Sequence, residues 1–173
     1  MLADEALQSI RLILSDVDGV MTDGGIDFDN QGIETKRFHI RDGLGIRMWQ
    51  KAGHRFGIVT GRSSHIVQVR AGELGVDVVR QGVKDKTPAV RQIIEQLELA
   101  AHEVCYIGDD LPDLGPIGLV GLGVAVGDAA AEVRNAAAMT TQAGGGDGAV
   151  REVVERLLKA QHRWDDLVSA YTR

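Results

Sequence analysis

Five short and nearly continuous apolar runs, Leu12–Asp16, Arg55–Thr60, Val76–Arg80, Val104–Gly108 and Leu122–Val126, recur along the chain with longer amphipathic stretches between them. Runs this short do not make buried helices, and because they do not alternate they do not read as the half-exposed strands of an antiparallel sheet. They read as strands covered on both faces. The stretches between supply the covers. Gly43–Ala52, Ser63–Leu74, Thr87–Leu97, Ala130–Ala136 and Ala149–Leu158 are predicted helices, the last with Val150, Val153, Val154, Leu157 and Leu158 on one stripe. Such alternation gives an α/β fold, a Rossmann-like doubly wound parallel sheet. One segment departs from that plan: Gly25–Phe28 and Ile33–Phe38 flank Asp29-Asn30-Gln31-Gly32, which predicts a protruding β-hairpin over about 25–38. The expectation is one domain over 1–173, with the C-terminal helix and tail over about 149–173. Gly144-Gly145-Gly146 looks the most flexible point, and Gln161–Arg173 reads as a loosely held tail.

Composition narrows what such a fold can do. Lys and Arg total 19 against 25 Asp and Glu, a net charge of −6, so nucleic acid and anionic membranes are not expected partners. The longest uncharged stretch, Leu114–Gly127, is broken by Gly and Pro and too short to cross a bilayer. Met1–Ile10 lacks the basic and apolar pattern of a signal peptide, and Cys105 alone excludes an internal disulfide, so a cytoplasmic location is expected. The five histidines show no metal-ligand spacing, and Cys105, inside an apolar run, reads as core.

The chemistry-bearing residues lie at the ends of the strands. Asp16 and Asp18 follow Leu12-Ile13-Leu14 where open α/β sheets bind ligands. Thr60-Gly61 ends the second run, Lys86 precedes a helix, and Gly108-Asp109-Asp110 with Asp113 ends the fourth. Loops on one rim would thus gather five carboxylates, one hydroxyl and one ammonium.

Through Asp16-Val17-Asp18-Gly19-Val20-Met21-Thr22, Ile58-Val59-Thr60-Gly61-Arg62, Lys86 and Gly108-Asp109-Asp110-Leu111-Pro112-Asp113, the chain resembles the haloacid dehalogenase superfamily of phosphotransferases. The resemblance implies that Asp16 is a nucleophile forming an aspartyl phosphate, that Asp18 is first a general acid and then a general base, and that Thr60 and Lys86 donate to the phosphoryl group. It also implies Mg²⁺, held by Asp16, the backbone carbonyl of Asp18, and Asp109. The residue types suit that chemistry, because a phosphate monoester carries roughly −2 at neutral pH and an ionised Asp16 would repel it unless a divalent cation and Lys86 offset the charge. A site offering one or two carboxylates beside phosphate and water suits Mg²⁺. Asp110 and Asp113 have three open readings: orienting the metal's waters, holding Lys86, or capping the following helix.

Many members of the superfamily carry a cap domain between Asp18 and Thr60 or between Thr60 and Lys86. Here those intervals hold only the hairpin with one helix, and one helix with one strand, so no cap domain fits. A site so open predicts a lid from another chain. Within the superfamily the chain resembles the sugar-acid phosphatases that act on 3-deoxy-D-manno-octulosonate 8-phosphate, through Asp18-Gly19-Val20-Met21-Thr22-Asp23-Gly24, Phe38-His39-Ile40-Arg41-Asp42-Gly43-Leu44-Gly45-Ile46, Thr60-Gly61-Arg62 and Gly146-Asp147-Gly148-Ala149-Val150-Arg151-Glu152. That implies a small phosphorylated sugar acid as substrate, a role in lipopolysaccharide precursor biosynthesis, and a homotetramer with packed hairpins. Arg62, Gly61 and Arg41 are the candidate substrate-binding residues. A basic residue is expected where Asp147 stands, and a carboxylate there argues against that loop binding an anionic sugar acid. The rival within the class is a phosphatase for a nine-carbon sugar-acid 9-phosphate. Outside it stands a receiver-like signalling or silent interaction domain, against which the order of the acidic residues speaks.

Overall fold

The computed structural model describes residues 4–172. In chain order it contains α1 (Asp4–Gln8), β1 (Leu12–Ser15), β2 (Asp27–Phe28), β3 (Glu34–Thr35), α2 (Ile40–Lys51), β4 (Arg55–Val59), α3 (His65–Leu74), β5 (Val78–Arg80), α4 (Lys86–Gln96), β6 (Val104–Gly108), α5 (Leu114–Leu119), β7 (Leu122–Ala125), α6 (Ala131–Ala136), β8 (Met139–Thr140), α7 (Ala149–Ala160) and α8 (Trp164–Ser169). The five apolar runs become β1, β4, β5, β6 and β7, which with the short β8 form one parallel sheet ordered β5-β4-β1-β6-β7-β8, with β1 flanked by β4 and β6. Leu12, Ile13 and Leu14 are fully buried because helices cover both faces. One helical layer is built from α1, α2 and α7, with α3 against α2; α4, α5 and α6 form the other.

Helix α7 presents the predicted stripe, with Val150, Val153, Val154, Leu157 and Leu158 all fully buried. Removing each of these from water contributes roughly 1.5–3 kcal/mol before entropy is counted. Trp49 and Ile46 of α2 are buried in the same core.

From β1 the chain builds β4 and β5 on one side, then returns across the sheet to build β6, β7 and β8 on the other. The loops after β1, β4 and β6 therefore meet at the point where the strand order reverses, which in open sheets leaves a crevice beyond the carboxyl ends. No cap domain lies between Asp18 and Thr60 or between Thr60 and Lys86; β2 pairs antiparallel with β3 over two residues each, a hairpin much shorter in its ladder than the flanking runs suggest.

Several elements differ from the sequence expectation. Helix α2 starts at Ile40 and not Gly43, because the His39 ring accepts a hydrogen bond from Arg41 N (3.3 Å) and caps it, so Gly43 and Gly45 lie inside the helix. Helix α5 forms despite Gly115, Pro116 and Gly118, since Pro116 sits in its first turn, where no intrahelical N–H bond is lost. The Gly144–Gly146 segment is packed. Gly145 N donates to Asp128 Oδ1 (2.8 Å), Gly146 N donates to the Val20 carbonyl (3.0 Å), and a Cβ on Gly145 would collide with the Gly19 carbonyl. The tail folds back as α8, burying Leu167 and laying the Trp164 ring under the Arg151 guanidinium (5.0 Å). Among the described residues no helix is long and apolar enough to cross a membrane.

Candidate active site

Asp16 follows the last residue of β1, its N–H donating to the Ile107 carbonyl of β6 (3.0 Å), so the sheet itself fixes its position. Its carboxylate accepts from Val17 N on one oxygen (2.7 Å) and from Lys86 Nζ on the other (2.6 Å). Lys86, at the start of α4, bridges Asp16 to Asp113, with Nζ 2.7 Å from Asp113 Oδ1. Asp113 is fully buried and saturated: Tyr106 OH also donates to Oδ1 (2.7 Å), while the backbone N–H groups of Asp109 and Asp110 donate to Oδ2 (3.0 and 3.3 Å). Of the three readings left open for Asp113, this geometry shows two: its Oδ1 holds Lys86, and its Oδ2 caps the helical turn after β6 that presents Asp109.

Asp109 stands beside these groups with its Oδ1 buried and unpartnered. Carboxylate oxygens of Asp16, Asp109 and Asp113 lie within 4.8 Å of one another. Burial is the main force raising the Asp109 carboxyl to about 7, reinforced by the Asp16 and Asp113 charges. Burial likewise raises Asp16 to about 6, against the pull of Lys86. An unpartnered buried oxygen beside a second carboxylate is a seat for a hard cation with oxygen ligands. Because Asp113 has its acceptor positions filled, Asp16 and Asp109 are the carboxylates that fit one. Gly19, with φ of +92°, completes the cradle, since a Cβ there would overlap the Asp109 carboxylate.

Thr60 and Gly61 follow β4, and Asp16, Asp18, Thr60, Gly61, Arg62, Lys86 and Asp109 all line one cleft of about 510 Å³. Arg41 does not join them. It lines a separate cavity along α7 with Asp147 and Arg151. Asp147 is exposed, its carboxylate 4.0 Å from His39.

Two residues not singled out in the sequence reach the site from the hairpin. Lys36, its side chain almost completely covered, forms an ion pair with Asp18 and lies 3.3 Å from Glu34, while Glu34 accepts from Arg62 (2.7 Å) and from the Ser64 hydroxyl (2.9 Å). Arg62 Nε is 3.9 Å from Asp18 Oδ2. The charged groups in contact with the Asp18 carboxylate are thus cations. A Glu-x-Lys at the hairpin's end carries no motif of its own; the only signal was its place in a segment foreign to a plain doubly wound fold.

A Lys bridging two aspartates beside an acidic cation seat, at the switch point of such a sheet, suits a hydrolase that works on phosphate esters, and a family model for the haloacid dehalogenase-like hydrolases matches residues 66–153. The chain belongs to that family. More narrowly, it is 43% identical over 164 residues to the 3-deoxy-D-manno-octulosonate 8-phosphate phosphatase KdsC of Yersinia pestis, covering 93% of this chain and 88% of that one. The structure of the Moraxella catarrhalis phosphatase of the same name, in complex with magnesium, phosphate and KDO, superposes with a TM-score of 0.95 at 39% identity, covering 97% of each chain. The cobalt-bound phosphatase of Haemophilus influenzae superposes with a TM-score of 0.92 at 35% identity, covering 97% of this chain and 99% of that one.

Proposed function

We propose that this protein is a Mg²⁺-dependent phosphatase that hydrolyses 3-deoxy-D-manno-octulosonate 8-phosphate to the free sugar acid and inorganic phosphate, through an aspartyl phosphate on Asp16. The observation that carries the reading is Lys86 bridging Asp16 and Asp113 beside the unpartnered oxygen of Asp109. The Yersinia and Moraxella relatives support the substrate.

Asp16 is the nucleophile. Its carboxylate is paired with Lys86 Nζ at 2.6 Å, and its oxygen forms a bond to phosphorus as the bond to the sugar oxygen breaks. Asp18 gives its proton to the departing alkoxide. Water then attacks the phosphorus of the aspartyl phosphate, Asp18 takes the proton back, and the Asp16 carboxylate is released with phosphate. Two of the three Lys86 ammonium protons are engaged by Asp16 and Asp113, leaving the third for a phosphoryl oxygen. Thr60, at the edge of the cleft, donates its hydroxyl to another. Asp16, Asp109 and the Asp18 backbone carbonyl would hold Mg²⁺, which would supply positive charge against the dianionic ester in this acidic site. Arg62 meets the carboxylate of the sugar acid, for which a guanidinium offers two parallel donors.

The exposed Ile26, Phe28 and Ile33 of the hairpin support a homotetramer in which hairpins pack together and cover the open cleft. A buried, unpaired Cys105 agrees with a cytoplasmic enzyme, and the shared sheet with one domain over 1–173. The test is phosphate release from 3-deoxy-D-manno-octulosonate 8-phosphate, present with Mg²⁺ and abolished by a chelator. Hydrolysis of p-nitrophenyl phosphate without hydrolysis of that sugar phosphate would reject the substrate while leaving the chemistry.

A further inference from the structure

The hairpin's carboxylate sits where the substrate's carboxylate should go. Glu34 Oε1 is 2.7 Å from an Arg62 NH₂ group and 3.3 Å from Lys36 Nζ, and its Oε2 accepts from the Ser64 hydroxyl at 2.9 Å. The donors come from three places in the chain: the hairpin, the loop after β4, and the N-cap of the ten-residue helix α3. Together they hold the Glu34 carboxyl below the usual range, the Arg62 hydrogen bond contributing most. A guanidinium, an ammonium and a hydroxyl converging on one point are the complement of a carboxylate, and Arg62 and Asp18 place that point on the rim of the cleft that holds Asp16.

We infer that Glu34 is a resident carboxylate that holds the Arg62 seat while substrate is absent, and that the sugar acid's own carboxylate must displace it. This rests on the reading above in which Arg62 meets that carboxylate. The half-exposed Arg62 guanidinium already faces two carboxylates, Glu34 at 2.7 Å and Asp18 at 3.9 Å, so a third brings repulsion that is relieved when one of them leaves. Glu34 is the one free to leave. It stands on a two-residue strand paired with an exposed two-residue partner, outside the main sheet, so little packing opposes its release. An ester without a carboxylate has nothing with which to open the latch, and meets Arg62 already neutralised. The latch therefore lowers apparent affinity by the fraction of molecules in which it is open, and makes the carboxylate the key.

The experiment is competitive inhibition of p-nitrophenyl phosphate hydrolysis by free 3-deoxy-D-manno-octulosonate. The full chain with Mg²⁺ is used as wild type, Glu34→Gln and Glu34→Ala, each repeated with Arg62→Ala. With the latch gone, Ki falls about three- to tenfold in both Glu34 variants, and substitution of Glu34 changes nothing once Arg62 is Ala. A Ki that rises in Glu34→Ala would make Glu34 a support for Arg62, and an unchanged Ki would leave it without a gating effect; either overturns the latch. If the free sugar acid does not inhibit wild type at all while p-nitrophenyl phosphate is turned over, the sugar-acid reading fails first and the latch falls with it.

Discussion

Asp113 touches no substrate in the proposed mechanism, yet it holds both the Lys86 ammonium and the turn that presents Asp109. It is fully buried and accepts from Lys86, Tyr106 and two backbone N–H groups, so Asp113→Ala leaves the Lys86 ammonium with one counter-charge and orphans a buried phenol. We expect a loss of about 3–5 kcal/mol in stability, read from urea denaturation, together with a fall in kcat. Asp16→Asn differs: the amide occupies the same space but cannot attack phosphorus, so turnover should fall at least about a thousandfold while the unfolding midpoint stays close to wild type. Turnover above a per cent or so would reject the covalent route. Asp109 ties the metal to stability. Adding Mg²⁺ should raise the Tm of wild type by several degrees, because a cation relieves the crowding of Asp16 and Asp109, and should scarcely move the Tm of Asp109→Asn. Arg62→Ala should cost about 2–4 kcal/mol in kcat/KM for the sugar acid and little for p-nitrophenyl phosphate. Asp16, Asp18, Thr60, Lys86 and Asp109 were legible in the sequence because each ends an apolar run or opens a helix, which fixes its rim position. Glu34 and Lys36 were not, because their partners lie 28 and 18 positions away across a hairpin whose direction no local pattern specifies.

At the scale of elements, the C-terminal end of α7 is tied to the rest by Gln161. Its amide donates to the Ile10 carbonyl (2.9 Å) and to the Leu7 carbonyl (3.4 Å), which leaves Oε1 to accept from His54 Nε2 (2.7 Å), whose ring stacks on Trp49 at 4.1 Å. Burial holds the His54 pKa below 6.5, since the charged ring loses water in the folded state. The sign follows: below about pH 6.5 the unfolded chain takes up a proton that the folded chain resists, so stability falls as pH falls through that range. His54→Gln should flatten the slope of unfolding free energy between pH 7 and pH 5 relative to wild type, and an unaltered slope would show that His54 does not titrate differently on folding. The same tie holds the first residue of the stretch that reads as a loose tail. Helix α8 and edge strand β8 escaped the sequence reading because each is a short element anchored by one or two long-range contacts, Leu167 and Trp164 in one case and pairing with β7 in the other. The glycines of 144–146 misled for the opposite reason: absence of a side chain signals either freedom or a close approach, and here Gly145 lies against the backbone of the loop after Asp16.

For the whole molecule, the sheet was the most legible feature, since buried parallel strands must be continuously apolar, and the switch point at β1 then follows from where the carboxylates fall. The way a second copy would cover the open cleft is not written in periodicity. Phe28 and Ile33, 59% and 56% exposed on the hairpin, predict association there, so light scattering should give a tetramer and Phe28→Asp with Ile33→Asp should give smaller species. A wild-type monomer with full activity would reject that assembly. The central claim is that this acidic, capless cleft serves a phosphorylated eight-carbon sugar acid. Its most direct test is kcat/KM for 3-deoxy-D-manno-octulosonate 8-phosphate against that for the nine-carbon sugar-acid 9-phosphates, under one set of conditions with saturating Mg²⁺. The account predicts a clear preference for the eight-carbon ester, and an equal or greater value for a nine-carbon ester would contradict it.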